Sequence, residues 1–223
     1  MKLRKLWSLS LLAAAALGLG LAAAPAGRPA QDAQGLDAKI QAFLDGRGRA
    51  WYDMNVPAAD GRILYDLIVA RGYKRALEIG TSTGHSGIWI AWALNKTGGR
   101  LITVEIDRER HDEAVRNFKA SGLDGRIDAR LADAHELVPR LPGPFDFVFC
   151  DADKDWYVEY FKAVRDKIAP GGCFAAHNVS ERRYGRYGQG AGYLEFVRGL
   201  PEFETTVDPR GSASLALSIK KPS

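Results

Sequence analysis

At 223 residues, 46% hydrophobic and 26% charged, the chain fits a single globular domain with a full-sized core. Its formal charge of +4 is gathered at the start. Lys2, Arg4 and Lys5 are basic and residues 1–26 hold no acid, so the rest carries 28 basic against 27 acidic side chains. Nothing in that balance argues for nucleic acid.

Residues 1–26 read as an export signal. Lys2, Arg4 and Lys5 form a positive n-region, residues 6–21 are an uncharged apolar run, and Ala24-Pro25-Ala26 offers small residues for cleavage after Ala26. An uncleaved anchor is the rival reading, because residues 6–26 can span a bilayer with the basic end inside. Both readings expect a domain outside the cytoplasm, with membrane association only through this segment. A misassigned start codon is a third reading, and a cytoplasmic location is the alternative to export. Residues 27–35, rich in Ala, Pro, Gly and Gln, read as a linker to a domain spanning 36–223.

The apolar spacing predicts a helix over 36–44, closed by Gly46 and Gly48. The aromatic-rich segment 51–57 (WYDMNVP) reads as a loop, and 58–69 as a second helix with Ile63, Leu64, Leu67 and Ile68 on one face. Strands and helices then alternate. Strand 75–79 leads to helix 85–94, strand 101–105 to helix 108–120, and strand 126–131 to a short helix over 134–141. Strand 145–150 leads to helix 156–168, which Pro170-Gly171-Gly172 closes before strand 173–176. Segments 203–207 and 215–219, separated by a turn, read as an antiparallel hairpin. The expected fold is α/β: a doubly wound, mainly parallel seven-stranded sheet with helices on both faces and a terminal hairpin. Cys150 and Cys173 fall on neighbouring strands about three residues out of register. That offset is roughly 10 Å, too far for a disulfide, so both read as core residues.

Ligands of such sheets bind beyond the carboxyl ends of the strands. After the first strand comes Glu78-x-Gly80-x-x-x-Gly84, a strand–turn–helix corner with Ser86 just beyond it. This is neither the Gly-x-Gly-x-x-Gly of dinucleotide enzymes nor a P-loop with its lysine. Glu105 ends the second strand, where a carboxylate can accept from two ribose hydroxyls. Ala134 and His135 follow the third strand, Asp151 to Lys154 the fourth, and His177-Asn178 the fifth.

Five ordered stretches carry a resemblance: Met54–Val56 (MNV), Leu77–Ser86 (LEIGTSTGHS), Val104–Asp107 (VEID), Phe145–Lys154 (FDFVFCDADK) and His177–Val179 (HNV). Together they resemble the metal-dependent O-methyltransferases of the catechol and caffeoyl-CoA type, class I enzymes that use S-adenosylmethionine (SAM). The resemblance implies methyl transfer from SAM to a hydroxyl of a small aromatic, catechol-like substrate, and is compatible with a homodimer. It implies that Met54, Asn55, Val56, Glu78, Gly80, Ser86, Glu105, Ala134, His135 and Asp151 meet the cofactor. It further implies that Lys154 removes the substrate proton, beside a Mg²⁺ held by Asp151 and the two residues ending the fifth strand. Trp51 and Tyr52 would wall the substrate.

One departure stands out. The family has Asp-Asn where this chain has His177-Asn178, and imidazole suits Zn²⁺, Mn²⁺ or Fe²⁺ better than Mg²⁺. Three readings follow. The site takes a transition metal through Asp151, His177 and Asn178; or Mg²⁺ binds weakly through Asp151, Asn178 and water; or no metal binds and His177 is itself a general base. Residues 181–193, with three arginines and Tyr184, Tyr187 and Tyr193, read as a lid or a solvated loop. Export sits uneasily with a cytosolic cofactor, and the alternative function is an exported binding module that keeps the fold without catalysis. A relative of the aminopropyl transferases on the same fold is a third possibility, but no acidic polyamine pocket is evident.

Overall fold

The computed structural model describes residues 30–48, 51, 54–179 and 191–222. The export-signal segment, Tyr52 and most of the 181–193 stretch lie outside those residues. No described helix is long and apolar enough to cross a membrane.

Among the described residues, fourteen main elements follow one another: α1 (Ala30–Arg47), α2 (Ala58–Arg71), β1 (Arg75–Ile79), α3 (His85–Thr97), β2 (Arg100–Glu105), α4 (Arg108–Ser121) and β3 (Ile127–Leu131), then α5 (Ala134–Leu137), β4 (Phe145–Cys150), α6 (Tyr157–Val164), β5 (Ile168–His177), α7 (Ala191–Arg198), β6 (Phe203–Asp208) and β7 (Leu215–Lys220). The seven strands form one sheet in the order β3-β2-β1-β4-β5-β7-β6. Strands β1 to β5 pair in parallel, whereas β7 runs antiparallel to both β5 and β6. This is the doubly wound sheet with a closing hairpin. The order reverses between β1 and β4, the position at which such sheets open a ligand crevice.

Alternation along the central strands divides the core. Val148 and Cys150 of β4 pack with Tyr157, Phe161 and Val164 of α6 and with Leu194 and Val197 of α7. Phe147 and Phe149, pointing the other way, pack with Ile63, Leu64 and Ile68 of α2 and Ile90 and Leu94 of α3. A third cluster joins Ile40 and Leu44 of α1 to Trp89 and Trp92 of α3 and Phe118 of α4. Helices α2 and α3 approach closely because Gly61 has no side chain: a Cβ there would sit 2.2 Å from the Trp89 ring. That contact sets the height of the neighbouring Asp60, which is fully buried.

Several boundaries differ from the sequence reading. Helix α1 begins at Ala30, taking in residues assigned to a linker, and passes Gly46 to end at Arg47. Alanine and glutamine are good helix formers, and packing against α3 and α4 outweighs the cost of an interior glycine. Strand β5 starts at Ile168, not Cys173, because Ile168 pairs with Phe145 before a register shift admits Pro170-Gly171-Gly172. Helix α6 is correspondingly shorter, flanked by 3-10 turns at Lys154–Trp156 and Arg165–Lys167. Tyr193 belongs to no lid. It is buried on α7, with its hydroxyl 2.8 Å from Ser218 Oγ. The cysteines stand as expected, since Cys150 pairs with Ala176 and Cys173 with Phe147, and both are free and buried.

Candidate active site

The carboxyl ends of β1 to β4 enclose a cleft of about 340 Å³. A larger cavity of about 480 Å³, among Lys74, Arg75, Arg100 and Arg126, opens at the opposite end of the same strands. Of these two, only the first is bordered by Asp151 and Asp153, the acids that follow β4.

The glycine turn forms the cleft floor. Gly80 has φ +94°, and a Cβ there would come within 2.6 Å of the Asp151 carbonyl oxygen. The backbone of β1 can therefore cross beside β4 only without a side chain at this position. Ser82 is also left-handed, at φ +47°. Its N–H donates to Glu105 Oε2 at 2.7 Å, while Glu105 Oε1 accepts from Ile106 and Asp107 N–H groups at 3.0 and 2.9 Å. The carboxylate expected to meet ribose thus also ties the turn to β2. Asn55 Nδ2 donates to Thr83 Oγ1 at 2.8 Å and closes the turn from the far side.

Of the ten residues expected around the cofactor, six line the cleft, Met54, Gly80, Glu105, Ala134, His135 and Asp151, and Asn55 is the residue that ties the turn. The other three stand behind it. Val56 is buried, and its carbonyl accepts from His85 Nδ1 at 2.7 Å. Trp89 Nε1 donates to the other ring nitrogen of His85, so that imidazole is a neutral structural element whose pKa burial lowers. Trp51 stacks on the same ring at 4.6 Å and lines a separate cavity with Val56 and Trp89, so it anchors α1 and does not wall the cleft. Glu78 and Ser86 are buried beneath the turn.

Glu78 is the sharpest electrostatic feature of that layer. Burial pushes its pKa up to about 8, although hydrogen bonds from Ser86 and Thr103 oppose the shift and the Asp151 and Glu105 charges add to it. Its Oε2 accepts from Thr103 Oγ1 at 2.6 Å, and its Oε1 has no partner. The folded state therefore binds this proton more tightly than the unfolded chain. The associated stability is fully present below the ordinary carboxyl value of 4.5 and is lost as pH rises through about 8, at up to about 1.4 kcal/mol per pH unit. Glu78→Gln should melt progressively higher than wild type as pH increases from 5 to 8. Thermal melts whose difference stays constant over that range would refute a neutral Glu78.

The second wall follows β3 and β4. Asp133 caps α5 by accepting from the His135 N–H at 2.8 Å, and the His135 ring stacks on Trp156 with centroids 3.8 Å apart. Tyr160 completes this aromatic side of the cleft. Sequence reasoning missed Trp156 and Tyr160. An i, i+4 aromatic pair just beyond the Asp-Ala-Asp-Lys motif was the available signal.

Beyond this wall lies a buried ionic cluster. Lys154 Nζ donates to Asp151 Oδ1 at 2.5 Å and to the Tyr157 hydroxyl at 2.6 Å, and that hydroxyl donates to the His177 carbonyl at 3.0 Å. The His177 ring stands between two carboxylates. Nε2 is 2.8 Å from Asp60 Oδ2, and Nδ1 is 3.0 Å from Asp151 Oδ2, an ion-pair distance reached off the line of a straight hydrogen bond. Asp60 Oδ1 accepts from the Ser212 N–H at 2.5 Å, at the turn before β7. Burial would lower the His177 pKa, but the two carboxylates outweigh it and raise the value to about 9. Burial likewise opposes ionisation of Asp151, while His177 and Lys154 hold its pKa below the ordinary value. Asp60 was not foreseen, because 117 residues separate it from His177.

This donor set does not fit a divalent metal. A ring with both nitrogens facing carboxylate oxygens carries hydrogens on both and offers no lone pair to an ion. Both Asp151 oxygens already face nitrogen groups, Lys154 Nζ and His177 Nδ1. Among the described residues, no group of three or more His, Cys, Asp or Glu side chains is arranged to hold an ion. The arrangement gives no support to the expectation that Asp151, His177 and Asn178 ligate a metal. The same two carboxylates, which raise the His177 pKa to about 9, also speak against the reading of His177 as a general base.

A family model for O-methyltransferases matches residues 43–181, more than half of the chain. The chain belongs to the O-methyltransferase family. Among its relatives, a catechol O-methyltransferase of Niastella koreensis is 38% identical over 130 residues, which cover 56% of this chain and 58% of that protein. Caffeoyl-CoA O-methyltransferase 2 of Eucalyptus globulus is 32% identical over 178 residues, covering 72% and 69%. Among solved structures, an O-methyltransferase from Bacillus cereus in complex with SAH, the demethylated product of SAM, superposes with TM-score 0.68 at 26% identity, covering 83% of this chain and 91% of that one. The O-methyltransferase TomG of Streptomyces achromogenes, in complex with SAM, gives 0.66 at 28% identity, covering 83% and 89%. The O-methyltransferase match ends at residue 181, so α7 and the closing hairpin lie beyond it, Ser212 included.

Proposed function

We propose that this chain binds SAM in the 340 Å³ cleft and transfers its methyl group to a hydroxyl of a small, catechol-like aromatic. The observation that carries the reading is that Asp151 belongs to both halves of the site. It borders the cleft that holds Gly80 and Glu105, and it also receives Lys154. The catechol and caffeoyl-CoA relatives support the phenolic substrate, and the SAH- and SAM-bound neighbours support the cofactor.

In the transfer, the substrate oxygen attacks the methyl carbon. The C–O bond forms as the C–S bond breaks, and its electron pair stays on sulfur to give the neutral thioether SAH. The hydroxyl proton passes to the Lys154 amine. The arrangement seen here, with Nζ 2.5 Å from Asp151 and 2.6 Å from the Tyr157 hydroxyl, is the one that would hold the resulting ammonium. Most of the rate gain asked of the protein is alignment of oxygen, methyl and sulfur.

Calorimetric titration of the full chain with SAM tests the reading. Binding in the micromolar range is expected. Glu105→Ala should weaken it at least about tenfold, through loss of charge-assisted hydrogen bonds to ribose and of the Ser82 tether. No measurable binding would remove the cofactor, and with it the activity. Binding with no transfer to any catechol would leave a binding module.

A further inference from the structure

We propose that the Asp60–His177–Asp151 clamp takes the place of a divalent ion, so that methyl transfer here needs no metal and no second, adjacent hydroxyl on the substrate. The inference rests on the functional reading above and narrows its substrate class.

Charge and geometry carry it. Asp60 and Asp151 face the two nitrogens of one ring at 2.8 and 3.0 Å, and Lys154 takes the remaining oxygen of Asp151. The two carboxylates already face three nitrogens, His177 Nε2 and Nδ1 and Lys154 Nζ, so an added divalent ion would have to displace those groups and be desolvated in a buried place. The His177 and Asp60 side chains are 4% and 1% exposed, so an ion between them would be almost wholly desolvated. A metal could enter only by displacing the ring, and the ring is held from both sides.

Asp60 is then a positioning residue. From α2, with Ser212 N–H on its other oxygen, it fixes the imidazolium that orients Asp151, and Asp151 orients Lys154. A vicinal diol is useful to a metal enzyme because the ion grips both oxygens. Without the ion the second hydroxyl has no such partner, and a phenol with one hydroxyl should serve as well as a catechol.

The test uses full-length protein stripped with EDTA, in two measurements. The first is methyl transfer from SAM to phenol and to catechol, with EDTA or with added Mg²⁺ or Mn²⁺. The second is Mn²⁺ binding followed by electron paramagnetic resonance. We expect wild type to transfer in EDTA, to change less than about twofold on adding either ion, to use phenol within about tenfold of catechol in kcat/KM, and to show no stoichiometric Mn²⁺ site. Asp60→Asn, which keeps the shape and removes the charge, should lower kcat at least about tenfold with KM for SAM unchanged. His177→Asp, which supplies a third carboxylate, should create a Mn²⁺ site. If that variant does not fold, Asp60→Asn and the wild-type titration still decide. Activity abolished by EDTA and restored by metal, or a stoichiometric Mn²⁺ site in wild type lost in Asp151→Asn, would overturn the proposal while leaving methyl transfer intact. If no phenol is methylated under any condition, the functional reading fails, and the Mn²⁺ titration alone supports or overturns the clamp.

Discussion

Lys154→Met should lower kcat for methyl transfer by about 10²- to 10⁴-fold, the usual cost of deleting a positioned proton acceptor. Affinity for SAM should stay within about twofold, because Lys154 lies outside the residues lining the cofactor cleft. Methionine matches the length of the lysine stem and can pack in its place beside Tyr157. The substitution leaves Asp151 Oδ1 without its 2.5 Å donor, which should cost about 1–3 kcal/mol of stability. Melting and kinetics must therefore be measured together. A kcat close to wild type in a folded variant would remove Lys154 from the chemistry.

Gly80→Ala should be the most damaging small substitution in the site. A left-handed backbone at a non-glycine residue costs on the order of 1–3 kcal/mol. Here the new Cβ would also sit 2.6 Å from the Asp151 carbonyl oxygen and 3.2 Å from the Ala152 Cα. Both are backbone atoms, and Asp151 N–H is itself bonded to the Ile79 carbonyl at 2.9 Å. Neither strand can yield without opening the β1–β4 junction. The expected result is a lower melting temperature together with SAM affinity reduced more than tenfold. Gly72→Ala, also left-handed but with nothing within 4 Å of the added carbon, separates the two effects. It should cost stability and leave SAM binding alone. Equal loss of binding in both variants would mean that global destabilisation, and not the junction, explains Gly80→Ala.

The ionic cluster has its own pH signature. Because the His177 pKa is raised, its contribution to stability is complete below the ordinary value of 6.5 and fades as pH rises towards about 9. Glu78 fades in the same direction, so the protein should be more stable at pH 6 than at pH 9.

The alternation of strand and helix from Arg75 onward was legible because each strand is a short apolar run and each helix repeats its apolar residues at helical spacing. The hairpin, the glycine turn, Glu105 and the pair Asp151 and Lys154 were legible for a related reason. They sit at strand ends, and strand ends of a parallel sheet share one edge whatever the loops do. Boundaries at α1 and β5 were not, since they depend on pairing and packing with distant segments that override local propensity.

His177 shows where local reading stops. Its type and position suggested a metal ligand or a base, because a histidine before an asparagine at a strand end looks the same in one dimension in either role. What decides between them is the occupant of the second ring nitrogen. That occupant is Asp60, placed by the packing of Gly61 on Trp89 and held by a backbone N–H before β7. The chain by itself determined a doubly wound sheet with a methyltransferase cleft at its carboxyl edge. Only the tertiary structure brought a carboxylate from the second helix to the end of the fifth strand, where it turns a presumptive ligand into a held cation.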